Sequence, residues 1–445
     1  MAYQRADRLN YMSLDKEMAD SIDEFEEVFY NEDTNFDDFE LGLPETAALP
    51  AKVEVTEGTD TSASQARKGK DIQGIPWERL NITRQSYRLT RLEQYRNYEN
   101  IPFSGEAVDK ECKQVKKGGN YYDFFHNTRL VKPTVLHFQF TPCFGDSCLL
   151  AASIYDFSTV VRRWMMRGLP KNCKILLAIA LHPVLYLFSG IMTEDFLVPD
   201  QASILITMNI PVYLCLDKPG ISFCARTTYE ENAITNAVEM YDSMSGGLHF
   251  MAANNDCGVR EYDMEKFQLM NYFRFPWPVN HTSMSPDSKI LTVVGDDLTG
   301  LLVDSCNGKT IGSIVGHLDY SFASAWHPDG RTFTTGNQDK ACRIWDMRNL
   351  SPTAVLKGNM GAVRSIRYSS DGRFLVVAEP TDFVHIYNAE GEYKKRQEID
   401  MFGEISGVSL SPDDEFLYIG IWDRTYASLL QYSRKRSTEY VDLFT

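Results

Sequence analysis

None of the nine cysteines of this 445-residue chain (Cys112, Cys143, Cys148, Cys173, Cys215, Cys224, Cys257, Cys306, Cys342) forms a CxxC pair, and their number is odd. That argues against a disulfide framework and against a zinc site, and makes reduced, mostly buried thiols the expectation. A Gly-rich phosphate loop, a nucleophile elbow and any metal-ligand spacing of His, Cys and carboxylates are missing too, so the sequence points to no enzyme, no cofactor and no metal. The amino terminus, MAYQRADRLNYMS, lacks an apolar leader, which predicts a cytoplasmic or nuclear destination. Basic residues are outnumbered, 45 Lys and Arg against 61 Asp and Glu, for a formal net charge of -16. At 43% hydrophobic and 24% charged, the chain still has ample material for a globular core.

The charge imbalance is local. Between Ser13 and Glu45 there are thirteen acidic residues and one lysine, with Phe25, Val28, Phe29, Tyr30, Phe36 and Phe39 among them. Like charges at this density repel and so few apolar residues bury no core, so residues 1–60 are expected to be a disordered acidic tail, with a transient helix around Met18 to Phe29. A solvated tail and a docking segment for a basic partner are both open readings. Opposite charge follows at Arg67, Lys68, Lys70, Arg79, Arg84, Arg88, Arg91 and Arg96. This marks 61–105 as a basic linker with a helix capped by Thr83, running to about Tyr98, carrying Tyr87, Arg91 and Tyr95 on one stripe and stopped by Pro102. A helix latched on the rest of the protein or on the acidic tail is expected, because one short basic stretch makes a poor nucleic-acid surface.

What the second half does contain is a beat. Pro286-Asp287, Pro328-Asp329, Ser370-Asp371 and Pro412-Asp413 recur every 42 positions, and Asp256, Asp297, Asp339, Thr381 with Asp382, and Asp423 recur every 41 or 42. A period near 40 with strand-like segments between turns predicts an all-β propeller in which each repeat is one four-stranded blade. Five blades can be traced from about Asn232 to Tyr432, within a propeller region set at 219–438.

The clearest unit, GHLDYSFASAWHPDGRTFTTGNQDKACRIWDMR, opens at Gly316-His317 and closes at Trp345-Asp346, 29 positions later. It resembles the WD-repeat (tryptophan-aspartate) family. The resemblance implies that His317, Thr335, Asp339 and Trp345 form a buried hydrogen-bonded tetrad, that Asp256, Asp297, Asp382 and Asp423 are the corresponding blade-turn residues, and that seven blades close the ring. His317, Asp339 and Thr335 also look like a catalytic triad, but a structural fastener of this composition is the stronger reading. The fourth unit has Asn359 in place of the opening His and Asp382 one place late; the fifth has Leu429 where Trp is expected, and its Trp422-Asp423 lies out of phase. The segments TDTSASQARKGKDIQGIPWERLNITRQSYR, ISFCARTTYEENAITNAVEMYD and DRTYASLLQYSRKR resemble a plant and fungal WD-repeat subfamily.

Residues 120–218 depart from this plan and are expected to be degraded or irregular early blades, with extra strands at Thr134 to Phe140 and a hairpin at Ser203 to Met208 and Val212 to Leu216. The apolar run CKILLAIALHPVLYLFSGIM, from Cys173 to Met192, is open to four readings: a short membrane span, a buried helix, distorted strands, or a translated intron or shifted frame. Around Asp339, Trp345, Asp346 and Arg348 the third unit resembles a DWD box, which implies contact with the damage-binding adaptor of cullin-4 ubiquitin ligases. A non-enzymatic protein-interaction scaffold is thus the primary expectation, a ligase substrate receptor the second, and a chromatin or nucleic-acid adaptor a remote third, with no small-molecule substrate and no membrane partner.

Overall fold

The computed structural model describes residues 60–129 and 235–435, apart from residues 245, 264–265, 267, 412 and 424–425, together with the backbone of eight strands between 138 and 224. The chain divides into two units, Met1–Val55 and Thr56–Thr445; the expected acidic tail lies outside the described residues.

The 42-residue beat becomes one sheet per repeat. The first blade is the antiparallel meander Thr235–Asp242, Leu248–Asn254, Gly258–Asp263 and Gln268–Arg274. The second is Val279–Met284, Ile290–Gly295, Thr299–Asp304 and Thr310–Val315, and the third Ser321–Trp326, Thr332–Asn337, Ala341–Asp346 and Ser351–Lys357. The two periodic markers sit at opposite ends of each sheet. Asp287, Asp329, Asp371 and Asp413 lie between first and second strands, where each carboxylate accepts the amide two residues on, at 2.8 to 3.3 Å. Ser285, Ser369 and Ser411 close the same turns by accepting, each at 2.9 Å, the amides of Ile290, Phe374 and Phe416. An Asp or Ser side chain that satisfies its own turn is why these residue types repeat.

A sheet this narrow buries both faces only against its neighbours. Ala237, Met251 and Val259 of the first blade pack with Val279, Leu291 and Val293 of the second. Leu302 and Ile314 meet Trp326, Phe333 and Trp345 of the third; Cys342, Ile344 and Leu356 meet Ile366, Leu375 and Tyr387 of the fourth. The core therefore runs as a series of layers between successive sheets, the arrangement of an all-β propeller.

The fourth and fifth blades share a strand. Arg396–Leu410 is continuous over 15 residues; its first part pairs with Thr381–Asn388, and from Glu404 onward it pairs with Phe416–Trp422. Gly403, at φ +127°, makes the turn of direction that a side chain would strain. The fifth blade takes its outer strand from far upstream: Tyr122–Arg129 pairs antiparallel with Ser428–Arg434, and Thr61–Ser62 pairs with the exposed edge of Tyr122–Arg129. So residues 122–129, expected among early blades, complete the last one. Tyr122 is buried there, its hydroxyl donating to the Asp414 carbonyl at 2.9 Å.

The backbone between 138 and 224 does not follow the blade plan. Ala202–Thr207 and Ile210–Cys215 form the expected hairpin, but Ser147–Ala152 pairs parallel with Lys174–Leu181, and Val184–Met192 pairs parallel with Ile210–Cys215. The apolar run forms the antiparallel strands Lys174–Leu181 and Val184–Met192 rather than a helix. Among the described residues no helix is long and apolar enough to cross a membrane.

Candidate interaction surface

In the third blade, Trp345 Nε1 donates to Thr335 Oγ1 at 2.7 Å, and Thr335 Oγ1 lies 2.7 Å from His317 Nε2. Asp339 Oδ2, 3.1 Å from His317 Nδ1, can only accept, so the imidazole proton lies on Nδ1 and Nε2 accepts from the Thr335 hydroxyl. Asp339 also accepts the amides of Leu318 at 3.1 Å and Ala341 at 2.9 Å. Burial alone would raise its pKa; His317 and the two amides reverse that and hold the carboxyl below its ordinary value. Every polar atom of the four residues is engaged, and all four are buried, so the network ties a loop to two strands and leaves no group facing a substrate.

The blade-turn carboxylates occupy the hairpin between second and third strands in each sheet. Asp256 accepts the Gly258 amide at 3.0 Å and pairs with Arg260, Asp297 accepts the Thr299 amide at 2.8 Å, and Asp423 accepts the Tyr426 amide at 2.5 Å. Asp423 begins the turn where Phe416–Trp422 ends, consistent with its phase. Asp382 differs: at φ +66° and fully buried, it accepts the Gly403 amide at 3.0 Å rather than an amide of its own hairpin. Glu379 fastens the blade instead. It accepts the amides of Asn359, Met360 and Gly361 at 2.6, 2.6 and 2.9 Å and lies 2.6 Å from His385 Nε2. Sequence reasoning missed this pair; its signal was a buried-type Glu three places before the expected Asp, with a His six places after it.

Residues 71–113 lie across the corresponding loops of the third and fourth blades and the strand that leads to the fifth. Gln73 exchanges two hydrogen bonds with the Phe402 backbone, at 2.6 and 2.7 Å. The helix Arg84–Gln94, capped by Thr83 on the Ser86 amide, turns its arginines inward. Arg84 and Arg88 bind Asp400, and Arg88 and Arg91 bind Asp382, the latter through Nε at 3.0 Å and Nη2 at 2.8 Å. Arg88 lies 4.1 Å above the Phe402 ring and 4.9 Å from that of Phe383. Burial pulls the Arg88 pKa down against the pull of Asp382, while at Arg91 burial is outweighed by its hydrogen bonds to Asp382 and the pKa rises. The leucines face out: Leu89 and Leu92 are 56% and 43% exposed. The helix ends at Gln94, short of the expected Tyr98, because the chain must extend for Asn97 to reach Gln338 and for Asn100, Ile101 and Ser104 to donate to the buried Asp319. It then descends the outside of the third and fourth blades through Lys113 to Val355 and Gly119 to Arg396.

The expected adaptor contact divides. Asp339 and Trp345 are fully buried and stand at opposite ends of the strand Ala341–Asp346, and Asp339 is roughly 20 Å from the turn bearing Arg348, from the strand rise alone. Only Arg348 is open, its side chain 83% exposed and paired with Asp346 through Nε at 3.0 Å and Nη2 at 2.6 Å. Those hydrogen bonds bring Asp346 down to a pKa of about 2. Among the described residues no cluster of three or more His, Cys, Asp or Glu is placed to hold a metal.

The family model described as "WD domain, G-beta repeat" matches residues 308–346 and 350–387, spanning the third and fourth blades. The third and fourth blades are WD repeats. The chain is similar to Pre-mRNA-processing factor 19 homolog 2 of Arabidopsis thaliana, 27% identical over 146 residues that cover 32% of this chain and 27% of that protein. It is also similar to the guanine nucleotide-binding protein subunit beta of Solanum tuberosum, 24% over 245 residues, half of this chain and 62% of that protein. A third relative is DDB1- and CUL4-associated factor 10 of Xenopus tropicalis, 30% over 95 residues, 21% of each chain. The chain spans less than two thirds of each of these relatives, and their likeness supports the WD-repeat reading without extending to the plant and fungal subfamily.

Proposed function

We propose that this WD-repeat protein is a non-enzymatic platform for protein partners, acting in the cytoplasm or nucleus. The observation that carries the reading is the complete internal satisfaction of the His317, Thr335, Asp339 and Trp345 network: the residues that resemble a catalytic set are committed to rigidity, and a rigid stack of sheets presents its loops at fixed positions. We also take 219–438, extended by 122–129, as the interaction domain and 1–60 as a separate acidic segment. Proximity labelling in cells tests the platform, with recurrent protein neighbours expected; turnover in an activity screen of the purified chain would refute it.

The second reading, a substrate receptor of a cullin-4 ligase, is favoured by one feature, the exposed and pre-oriented Arg348. Its guanidinium, held by Asp346, keeps outer N–H groups free for a partner carboxylate. Pull-down with the ligase adaptor should recover wild type and fail for Arg348→Ala. The nucleic-acid reading is weakened by Arg84, Arg88 and Arg91 being already paired with carboxylates of this chain; it requires steeply salt-dependent binding that vanishes without residues 66–98.

A further inference from the structure

Asp382 is a blade-turn carboxylate released from its ordinary duty. Glu379 and His385 secure the fourth blade, and Asp382 gives its two oxygens to Arg88, Arg91 and the Gly403 amide. With Asp400 beside it and the Phe402 and Phe383 rings flanking, the loops of the fourth and fifth blades build a guanidinium site: two carboxylates for charge, two aromatic faces for stacking. Its present occupant comes from the same chain and presents arginines at positions 84, 88 and 91, one side of a helix.

The manner of attachment is informative. No residue of the helix Arg84–Gln94 is buried, and its leucines point to water. Charge pairing and cation–π contact, both weakened by salt and hydration, hold it together with the half-buried Tyr87 ring, which rests on Phe402 and Trp77. Hydrogen-bonded anchors lie on either side, Gln73 at Phe402 and Asn100 at Asp319, so the stretch between them can lift without loosening the blades. A helix held permanently would be expected to bury its leucines instead.

We propose that this site is a receptor for arginine-bearing helices of partner proteins, occupied in the free protein by its own strap helix, which a partner with the spacing Arg-x-x-x-Arg-x-x-Arg displaces. This rests on the platform reading and specifies its surface. The partner's arginines take the positions of Arg84, Arg88 and Arg91, and the chain's own helix swings out between its anchors.

The test uses the full-length chain and a fluorescent synthetic peptide of residues 77–96 as the probe. Wild type should bind it weakly, because the site is filled. The variant Arg88→Ala with Arg91→Ala, whose own helix is loosened while the receptor is intact, should bind at least about 10-fold more tightly, since apparent affinity scales with the fraction of open sites. Adding Asp382→Asn to that variant should abolish the gain. Equal binding to wild type and to the loosened variant overturns the proposal. Should a variant misfold, amide exchange on wild type decides: between about 0.1 M and 1 M salt, where screening shortens from about 10 to 3 Å, the amides of 84–94 should lose protection while those of Ala341–Asp346 keep theirs. Unchanged protection at 84–94 overturns it. Neither failure touches the platform reading, whose labelled neighbours would persist on other surfaces.

Discussion

At the scale of single residues, the third-blade network makes a sharp prediction. Thr335→Val keeps the volume and removes the one hydroxyl that joins His317 to Trp345, leaving a buried indole N–H and a buried ring nitrogen without partners. The cost should be about 1 to 3 kcal/mol, read as a lower urea midpoint with unchanged slope. A second residue-scale prediction concerns Glu239. It is half-buried on the first strand of the first blade, its Oε2 shut off from water, and burial raises its pKa to about 8 from 4.5 despite the attraction of Arg367. A carboxyl whose folded pKa exceeds its unfolded one contributes stability that is complete below the unfolded value and is lost as pH rises through the folded value. Wild type should therefore lose melting temperature between about pH 4.5 and pH 8, and Glu239→Gln should flatten that decline; parallel profiles for the two proteins would contradict it. By contrast Arg348→Ala, at an exposed turn, should leave the urea midpoint unchanged, so that any lost binding is attributable to contact. Much of this scale could be read in the sequence: the residues joined in the third blade kept type and spacing together. Glu379 could not, because its role passed to a different residue type at a strand end when Asp382 was drawn to partners some 290 positions upstream.

The elements carry a different lesson. Thr83 as a cap was legible from local chemistry alone. The stripe of Tyr87, Arg91 and Tyr95 is the side that meets the blades, but its partners were not legible, since the carboxylates that attract the arginines lie some 290 positions or more downstream. Gly361 supplies the element-scale test. A Cβ there would collide with the Tyr95 hydroxyl, which is seated against it; burial raises the Tyr95 pKa above its ordinary range, so the phenol stays neutral. Gly361→Ala should therefore expel the end of the helix and speed proteolysis within 77–97 while leaving the sheets intact. Combining it with Tyr95→Ala should cancel most of the effect of the glycine change, as coupling between touching residues requires.

For the whole molecule, the 42-residue beat was enough to count the blades after residue 235 and to order them, because turn chemistry is local and repeats. The closing strand was invisible: Tyr122–Arg129 has no signature that names Ser428–Arg434 as its partner, and pairing across 300 residues is decided by which edge is left bare. That join should be costly to lose. Tyr122→Ala removes a buried ring from between the fourth and fifth blades along with its bond to Asp414, and should destabilise by about 3 to 5 kcal/mol, measured by equilibrium denaturation. A loss below 1 kcal/mol would mean that the last blade stands without its upstream strand.

The strand Arg396–Leu410 has a consequence for how this gene can change. Ile399 and Met401 on one half of this ribbon and Ile405, Val408 and Leu410 on the other share a single core, so adding or deleting a single codon near Gly403 would invert the facing of everything on one side of it relative to the other. Elsewhere a repeat can drift in length at a loop and harm only itself. Here two neighbours inherit every frame-preserving indel together, which makes these fifteen codons the least tolerant stretch of the second half to any change in length.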